Sequence, residues 1–195
     1  LKDEQFIEEE FDYSALNLNS KKIDYKKYVA DRVVFCEGFQ MQKNPFFKHF
    51  ALIGNKGEML VIKAPKLNVS HIIKSRIFIV PLEMDYFWVG ATFEWEDKTL
   101  NPSSEAKKWL KKYLKKIILV PYEIVCHSAR IRPTVIDRKP LLGRHHKHQN
   151  LFVFNGLGTR GSLMAPLLTE WLFKFIHENI PLPEEIDISR FKKIK

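Results

Sequence analysis

The chain has 195 residues, 45% of them hydrophobic and 13% aromatic, which is enough apolar surface for one ordinary domain or two small ones with a packed core. Its longest apolar runs, such as Ile117 to Val120, fall far short of the roughly 18 residues of a membrane span. The net charge of +9 divides into −5 over residues 1–20, where Lys2 faces six acids, and +14 over the remainder, a basic body that either attracts polyanions or keeps a lysine-rich surface solvated.

The acidic start has no apolar stretch of the signal-peptide kind, so the sequence predicts a soluble cytoplasmic protein with no membrane partner. It opens on Leu1 rather than Met, which points to an excised fragment or a processed product. Short strands are predicted at Phe6 to Phe11, around Leu16 and from Ile23 to Tyr28, followed by a buried strand Val33-Val34-Phe35 that Gly38 stops. Cys36 and Cys126 stand far apart without CxxC spacing and read as buried free thiols, with neither a zinc knuckle nor a disulfide framework on offer.

Asn44-Pro45 and Gly54-Asn55-Lys56-Gly57 mark turns. Strands are then expected at Glu58 to Ile62, Ile72 to Val80, Tyr86 to Phe93 and Ile118 to Ser128, and their short connections imply a mixed, largely antiparallel sheet. A helix opens at Asn101-Pro102-Ser103-Ser104, where Asn or Ser caps the first backbone N–H groups. Ala106, Trp109, Leu110, Tyr113, Leu114 and Ile117 make its apolar stripe, opposite a face of six lysines from Lys107 to Lys116 that is either solvated or in touch with phosphates. The four tryptophans fall on separate elements, which suits core packing rather than a base-stacking platform.

Arg130-Ile131-Arg132-Pro133-Thr134 ends a strand in a proline-stiffened turn, and His145, His146 and His148 sit in a polar loop. That loop has no nearby Cys and few acids, so it reads as solvent-facing rather than metal-binding. A short buried strand at Leu151 to Phe154 runs into Asn155-Gly156-Leu157-Gly158-Thr159-Arg160-Gly161, and an apolar helix from about Ser162 to Asn179 follows, predicted to be buried against a sheet. Gly156, Gly158 and Gly161 satisfy G-x-G-x-x-G between strand and helix. A nicotinamide site would need a second parallel strand with an acid about 20 residues on, whereas Pro181-Leu182-Pro183 stops the helix, Glu178 falls inside or at its end, and about a dozen residues follow. What remains is a loop whose N–H groups and helix dipole favour negative charge, or a tight connection without a ligand.

The succession Val33 to Gly38, Lys56-Gly57-Glu58-Met59-Leu60, Ile79-Val80-Pro81, Val89-Gly90-Ala91-Thr92, Ile131 to Thr134, Asp137 to Gly143 and Gly156 to Pro166 resembles the FAD-dependent D-amino-acid oxidase and glycine oxidase family. The tail, with Gly158-Thr159-Arg160-Gly161, Ala165-Pro166-Leu167 and Ser189-Arg190-Phe191, is also similar to the flavin domain of the bacterial enzyme that trims carboxymethylaminomethyl groups from the tRNA wobble uridine. Members of this family carry an N-terminal ADP-binding G-x-G-x-x-G upstream of the counterpart of Leu1. The resemblance therefore implies a C-terminal α+β fragment: residues 1–38 and 131–195 as partial segments of an FAD domain, and 39–130 as a substrate-binding domain.

The same resemblance implies an oxidoreductase that takes a hydride from the C–N unit of an amino acid or secondary amine, with FAD held by the intact parent and not by the fragment alone. Arg132 is the match for the substrate-carboxylate arginine, a role that suits its planar fork; the alternative is a turn arginine paired with an acid such as Asp137. Gly156, Leu157, Gly158, Thr159, Arg160 and Gly161 would lie by the flavin, and Gly38 near the cofactor. Arg130 replaces a usual Gly, where it would either crowd the flavin face or offer a second anion site, and Glu37 replaces a small residue. The implied partners are the missing N-terminal half and a small amine; the competing reading is a basic tRNA-binding module without catalysis of its own.

Overall fold

A computed structural model describes residues 6–18, 22–50 and 52–193, so Leu1 and the acids Asp3 and Glu4 lie outside the described residues. The strands are β1 (Leu16–Asn17), β2 (Ile23–Tyr25), β3 (Tyr28–Ala30), β4 (Val33–Phe35), β5 (Asn55–Lys63), β6 (Ile73–Lys74), β7 (Phe78–Pro81), β8 (Tyr86–Gly90), β9 (Glu123–Arg132), β10 (Leu141–Arg144) and β11 (Leu151–Asn155). Helix α1 spans Ser104–Leu114 and α2 spans Gly161–His177. The chain forms two compact units: the first combines the residues before Leu52 with Lys139–Gly156 and those from Ser162 onward, and the second is Leu52–Arg138 with Leu157–Gly161. No helix among the described residues is long and apolar enough to cross a membrane.

The second unit is a five-stranded sheet in the order β6-β7-β8-β5-β9, antiparallel throughout its pairs. Alternation sorts its side chains. Leu60, Ile62, Ile79, Phe87 and Val89 point to one face and are 0–4% exposed, packed with Leu110 and Leu114 of α1 and with Ile77 and Ile118. Their neighbours Met59, Val61, Val80 and Trp88 point to the other face and stay half-buried, with Phe78 exposed. α1 starts where expected because Ser103 Oγ accepts the Ala106 N–H at 3.1 Å, and the same Ser103 binds both oxygens of buried Glu58 (N to Oε2 2.8 Å, Oγ to Oε1 3.0 Å). One residue thus caps the helix and docks it on β5.

In the first unit β10, β11 and β4 form a sheet in that order, with β11 parallel to β4 and antiparallel to β10, and β1, β2 and β3 form a small antiparallel sheet. The Phe35 ring is met edge-on by Phe11, stacks with Phe46 and lies tilted against Phe47. Several expectations change here. Phe6 to Phe11 is not a strand, because it pairs with nothing among the described residues. The run from Ile23 breaks at Lys26 (φ 51°), which turns β2 back into β3.

Ile72 to Val80 divides into β6 and β7 where the Ser75 N–H turns to the Ile77 carbonyl. β9 begins at Glu123 rather than Ile118, after Pro121, which has no N–H to offer a ladder. α2 buries only the stripe Leu168, Leu172 and Ile176, leaving Leu163, Leu167 and Phe173 exposed, so it is not buried all round. Cys36 and Cys126 are free but exposed: one follows the end of β4, the other lies on the half-open face of β9.

Candidate functional site

In the second unit Arg132 is the last residue of β9, in register with Asn55 of β5. Its Nη1 donates to Asn55 Oδ1 at 2.7 Å and to the Thr92 carbonyl at 3.3 Å, and the guanidinium lies 4.7 Å from the centre of the exposed Phe93 ring. Asn55 is itself fixed, buried and donating to the Glu94 carbonyl at 3.2 Å. A Cβ built on Gly57 would collide with the guanidinium, so the bare glycine is what leaves room for it. Burial lowers the pKa of Arg132 from its ordinary value, but a guanidinium at this height stays charged.

No carboxylate pairs with Arg132 among the described residues. The turn-arginine alternative, an ion pair with an acid such as Asp137, is therefore not the arrangement found. Both hydrogens of Nη1 are engaged, leaving Nη2 and Nε as an unused pair of parallel donors, which is the geometry a carboxylate accepts. Arg130, two residues earlier, shares the strand face of Arg132, is exposed, and donates only to its own neighbour's carbonyl (Ala129, 2.8 Å).

The loop Leu157–Gly161 belongs to the same unit as Arg132. The Gly158 N–H donates to the carbonyl of Pro133, the residue after Arg132, at 3.1 Å, so the arginine turn and the glycine loop are hydrogen-bonded together. Gly158 has φ +55°, a conformation for which glycine is suited. Beside it, the hydroxyl of Thr134 is buried without a hydrogen-bond partner, 3.8 Å from where a Gly158 Cβ would stand. Thr159 and Arg160 are exposed, and Gly161 opens α2.

In the first unit Gly38 and Gly156 follow the carboxyl ends of the parallel strands β4 and β11, and both have positive φ (55° and 72°). Buried Asn155 ties them together. Its Nδ2 donates to the Gly38 carbonyl at 2.9 Å, and its Oδ1 accepts the Gly156 N–H at 2.8 Å. The carboxyl ends of parallel strands are where open α/β sheets take their ligands. Glu37 is turned to protein partners, accepting from the Tyr13 hydroxyl at 2.5 Å and from Asn44 Nδ2 at 2.8 Å; burial and this carboxylate push the Tyr13 phenol well above its ordinary range.

Residues 13–174 match the family described as FAD dependent oxidoreductase. The chain belongs to that family. It is 29% identical over 124 residues to the tRNA 5-methylaminomethyl-2-thiouridine biosynthesis bifunctional protein MnmC of Idiomarina loihiensis, a match covering 59% of this chain and 20% of that protein. Among solved structures it is similar to glycine oxidase from Geobacillus kaustophilus, with a TM-score of 0.69 and 24% identity over 90% of this chain and 50% of that one. It is also similar to L-proline dehydrogenase from P. horikoshii, with a TM-score of 0.73 and 18% identity over 89% and 50% of the two chains. The chain thus spans about half the length of those solved relatives, and its match to the curated one covers a fifth of that protein.

The family pattern pointed to Arg132 and the glycine loop but not to Asn155, Asn55 or Phe93. Asn155 was the more visible, as an Asn at a strand end directly before a glycine. The histidine loop also differs from expectation. His145 is buried, edge-on to Phe47 at 5.4 Å, and its Nδ1 accepts the N–H groups of Lys147 (3.2 Å) and His148 (3.0 Å).

A buried ionic network lies on the α1 side of the second unit's sheet. Lys56, fully buried, reaches Asp97 (2.5 Å), the Asn101 carbonyl (2.6 Å) and Glu58 (3.6 Å). His127 Nε2 stands 2.9 Å from the other Glu58 oxygen, an ion pair only when the imidazole is protonated.

Proposed function

We propose that this chain is the substrate-binding and C-terminal part of an FAD-dependent oxidoreductase acting on the C–N bond of an amino acid or secondary amine of the glycine or sarcosine type. The observation that carries the reading is Arg132: a partly buried guanidinium with no acid of its own among the described residues, two free parallel donors, and a turn hydrogen-bonded to the glycine loop. A carboxylate on Nη2 and Nε would fix the substrate at one end, and orientation is the main service such a protein renders.

The residues present fit a flavin. In the second unit, Gly158 and the orphaned Thr134 hydroxyl offer a close approach and a hydrogen bond in need of a partner. When bound, FAD supplies the acceptor for a hydride from the carbon next to nitrogen. The chain's own share is to hold the carboxylate, to present the backbone of the Leu157–Gly161 loop to negative charge, and to keep Phe93 against the arginine.

The test is Arg132→Gln in the flavin-loaded polypeptide that contains this chain. KM for sarcosine rises by about 10- to 100-fold, as loss of a charge-assisted hydrogen-bond pair requires. An unchanged KM would remove the assignment. The 195-residue chain alone, mixed with FAD and repurified, is expected to emerge colourless, and a stoichiometric yellow complex would contradict its dependence on a second half.

A second reading, a tRNA-modifying or tRNA-binding role, draws support from the similarity to MnmC and from the exposed lysines of α1. Those lysines ride on the helix that covers the sheet face opposite Arg132. A tRNA partner predicts binding that weakens steeply between low and physiological salt; binding indifferent to salt, or none at low salt, would leave the lysines as solvation.

A further inference from the structure

We propose that Arg130 makes a second anion subsite beside Arg132, so that the preferred substrate is a small amine carrying two acidic groups, one on each guanidinium. This rests on the reading of Arg132 as a carboxylate anchor and narrows it to a substrate class.

Three observations converge. Arg130 and Arg132 occupy alternate positions of β9, which places their Cα atoms about 7 Å apart on one face of the sheet. Both address Gly57: Arg130 is its register partner across β5, and the Arg132 guanidinium fills the space that a Gly57 Cβ would take. Finally, neither guanidinium has an acid of its own among the described residues, and Arg130 bonds only to a backbone carbonyl. Around them the same face carries the uncharged Asn55 and Ser128 and the half-buried Met59, Val61 and Trp88.

The chemistry follows from that layout. An amine with an acidic group on each side would span the two guanidinium groups, one acid on Arg132, whose fork covers the bare main chain of Gly57, and the other on Arg130. Its two anions would answer two cations that are otherwise uncompensated on this face, and each planar fork matches a carboxylate. A substrate with a single carboxylate would occupy Arg132 and leave Arg130 in water.

The experiment uses the 195-residue chain with two probes that differ by one carboxylate, iminodiacetate and sarcosine. Each is titrated while the arginine Nε–H signals are followed in 15N-resolved spectra. Iminodiacetate should bind about tenfold more tightly or better, the value of one charge-assisted contact, and should shift the Arg130 and Arg132 signals together, whereas sarcosine shifts Arg132 alone. Arg130→Gln should bring iminodiacetate to within about twofold of sarcosine and leave sarcosine unchanged.

An advantage for iminodiacetate that survives Arg130→Gln, or an Arg130 signal that iminodiacetate does not move, overturns the second subsite while leaving Arg132 its role. If Arg132→Gln leaves both affinities unchanged, the carboxylate-anchor reading falls and this one with it. Absence of binding by either probe overturns both. Because Arg130 is exposed and the signal shifts are read in the unmodified chain, a misfolded variant does not protect the proposal.

Discussion

Gly57→Ala separates the stability of the second unit from the function assigned to its open face. Gly57 lies in a central strand without a positive φ, so its backbone suits alanine, and in a strand Ala is favoured over Gly by about 0.5–1 kcal/mol. The added methyl would meet only the terminal atoms of the Arg132 side chain, a flexible end that can swing away. Swinging gives up the Nη1 bonds to Asn55 and the Thr92 carbonyl, each worth about 1 kcal/mol net.

The balance is a net loss of about 1–1.5 kcal/mol, or roughly 2–6 °C in melting temperature for a chain of this length. Carboxylate binding has no such offset. Losing the positioned fork removes about 1.5–3 kcal/mol, roughly 10- to 150-fold in the Kd of sarcosine. The assay pairs a thermal melt with a sarcosine titration of the same sample. Unchanged affinity in the variant would refute the argument that bare backbone at position 57 is what seats the arginine.

Other consequences are as direct. Lys56→Ala removes the fully buried ammonium from between Asp97 and Glu58 and should cost about 3–5 kcal/mol in urea unfolding of the second unit; a loss below 1 kcal/mol would show the network to be solvated. Ser103→Ala removes a helix cap and a Glu58 partner together and should cost about 1–2 kcal/mol, measured in the same way. Asn155→Ala should speed amide exchange at Gly156, whose N–H it now protects, and a Gly156 amide that exchanges at the original rate would contradict the bridge.

Burial among aromatic rings and neighbouring histidines pulls His145 down to about 4, so the unfolded chain takes up that proton first as pH falls below 6.5. Stability is full above that pH and diminishes toward pH 4, by about 2 kcal/mol at pH 5. In His145→Asn this part of the acid sensitivity should vanish from melts recorded between pH 7 and 5.

What could be read from the sequence was set by local chemistry. The Ser103 cap and the stripe through Leu110 and Leu114 are properties of a few adjacent residues, and α1 appears where they place it. β5, β8 and β9 show themselves by β-branched and aromatic runs with turn residues at their ends. β10 escaped because Leu141-Leu142-Gly143-Arg144 is short and contains a glycine, and its strand character comes from pairing with β11. The proposed extension at Phe6 failed for the opposite reason, since it has the composition of a strand and no partner.

The site shows the same division. Arg132 and the glycine loop stood out as a family pattern. The positions of Asn55, Phe93 and Thr134 around them depend on register between distant strands, which no local window contains. The face on which Arg130 lies follows from the period of two once β9 is known to run to Arg132.

The parallel pairing of β4 with β11 also governs how the polypeptide is made. About 115 residues separate the two strands, so at ribosomal rates of roughly 5–20 residues per second Val33–Phe35 emerges about 6–23 s before its neighbour exists. In that interval Leu52–Arg138, which needs nothing synthesised later to complete its five strands, can assemble first. A nascent β4 waits with a bare hydrogen-bonding edge, and chaperone dependence or misassembly in this protein should begin there.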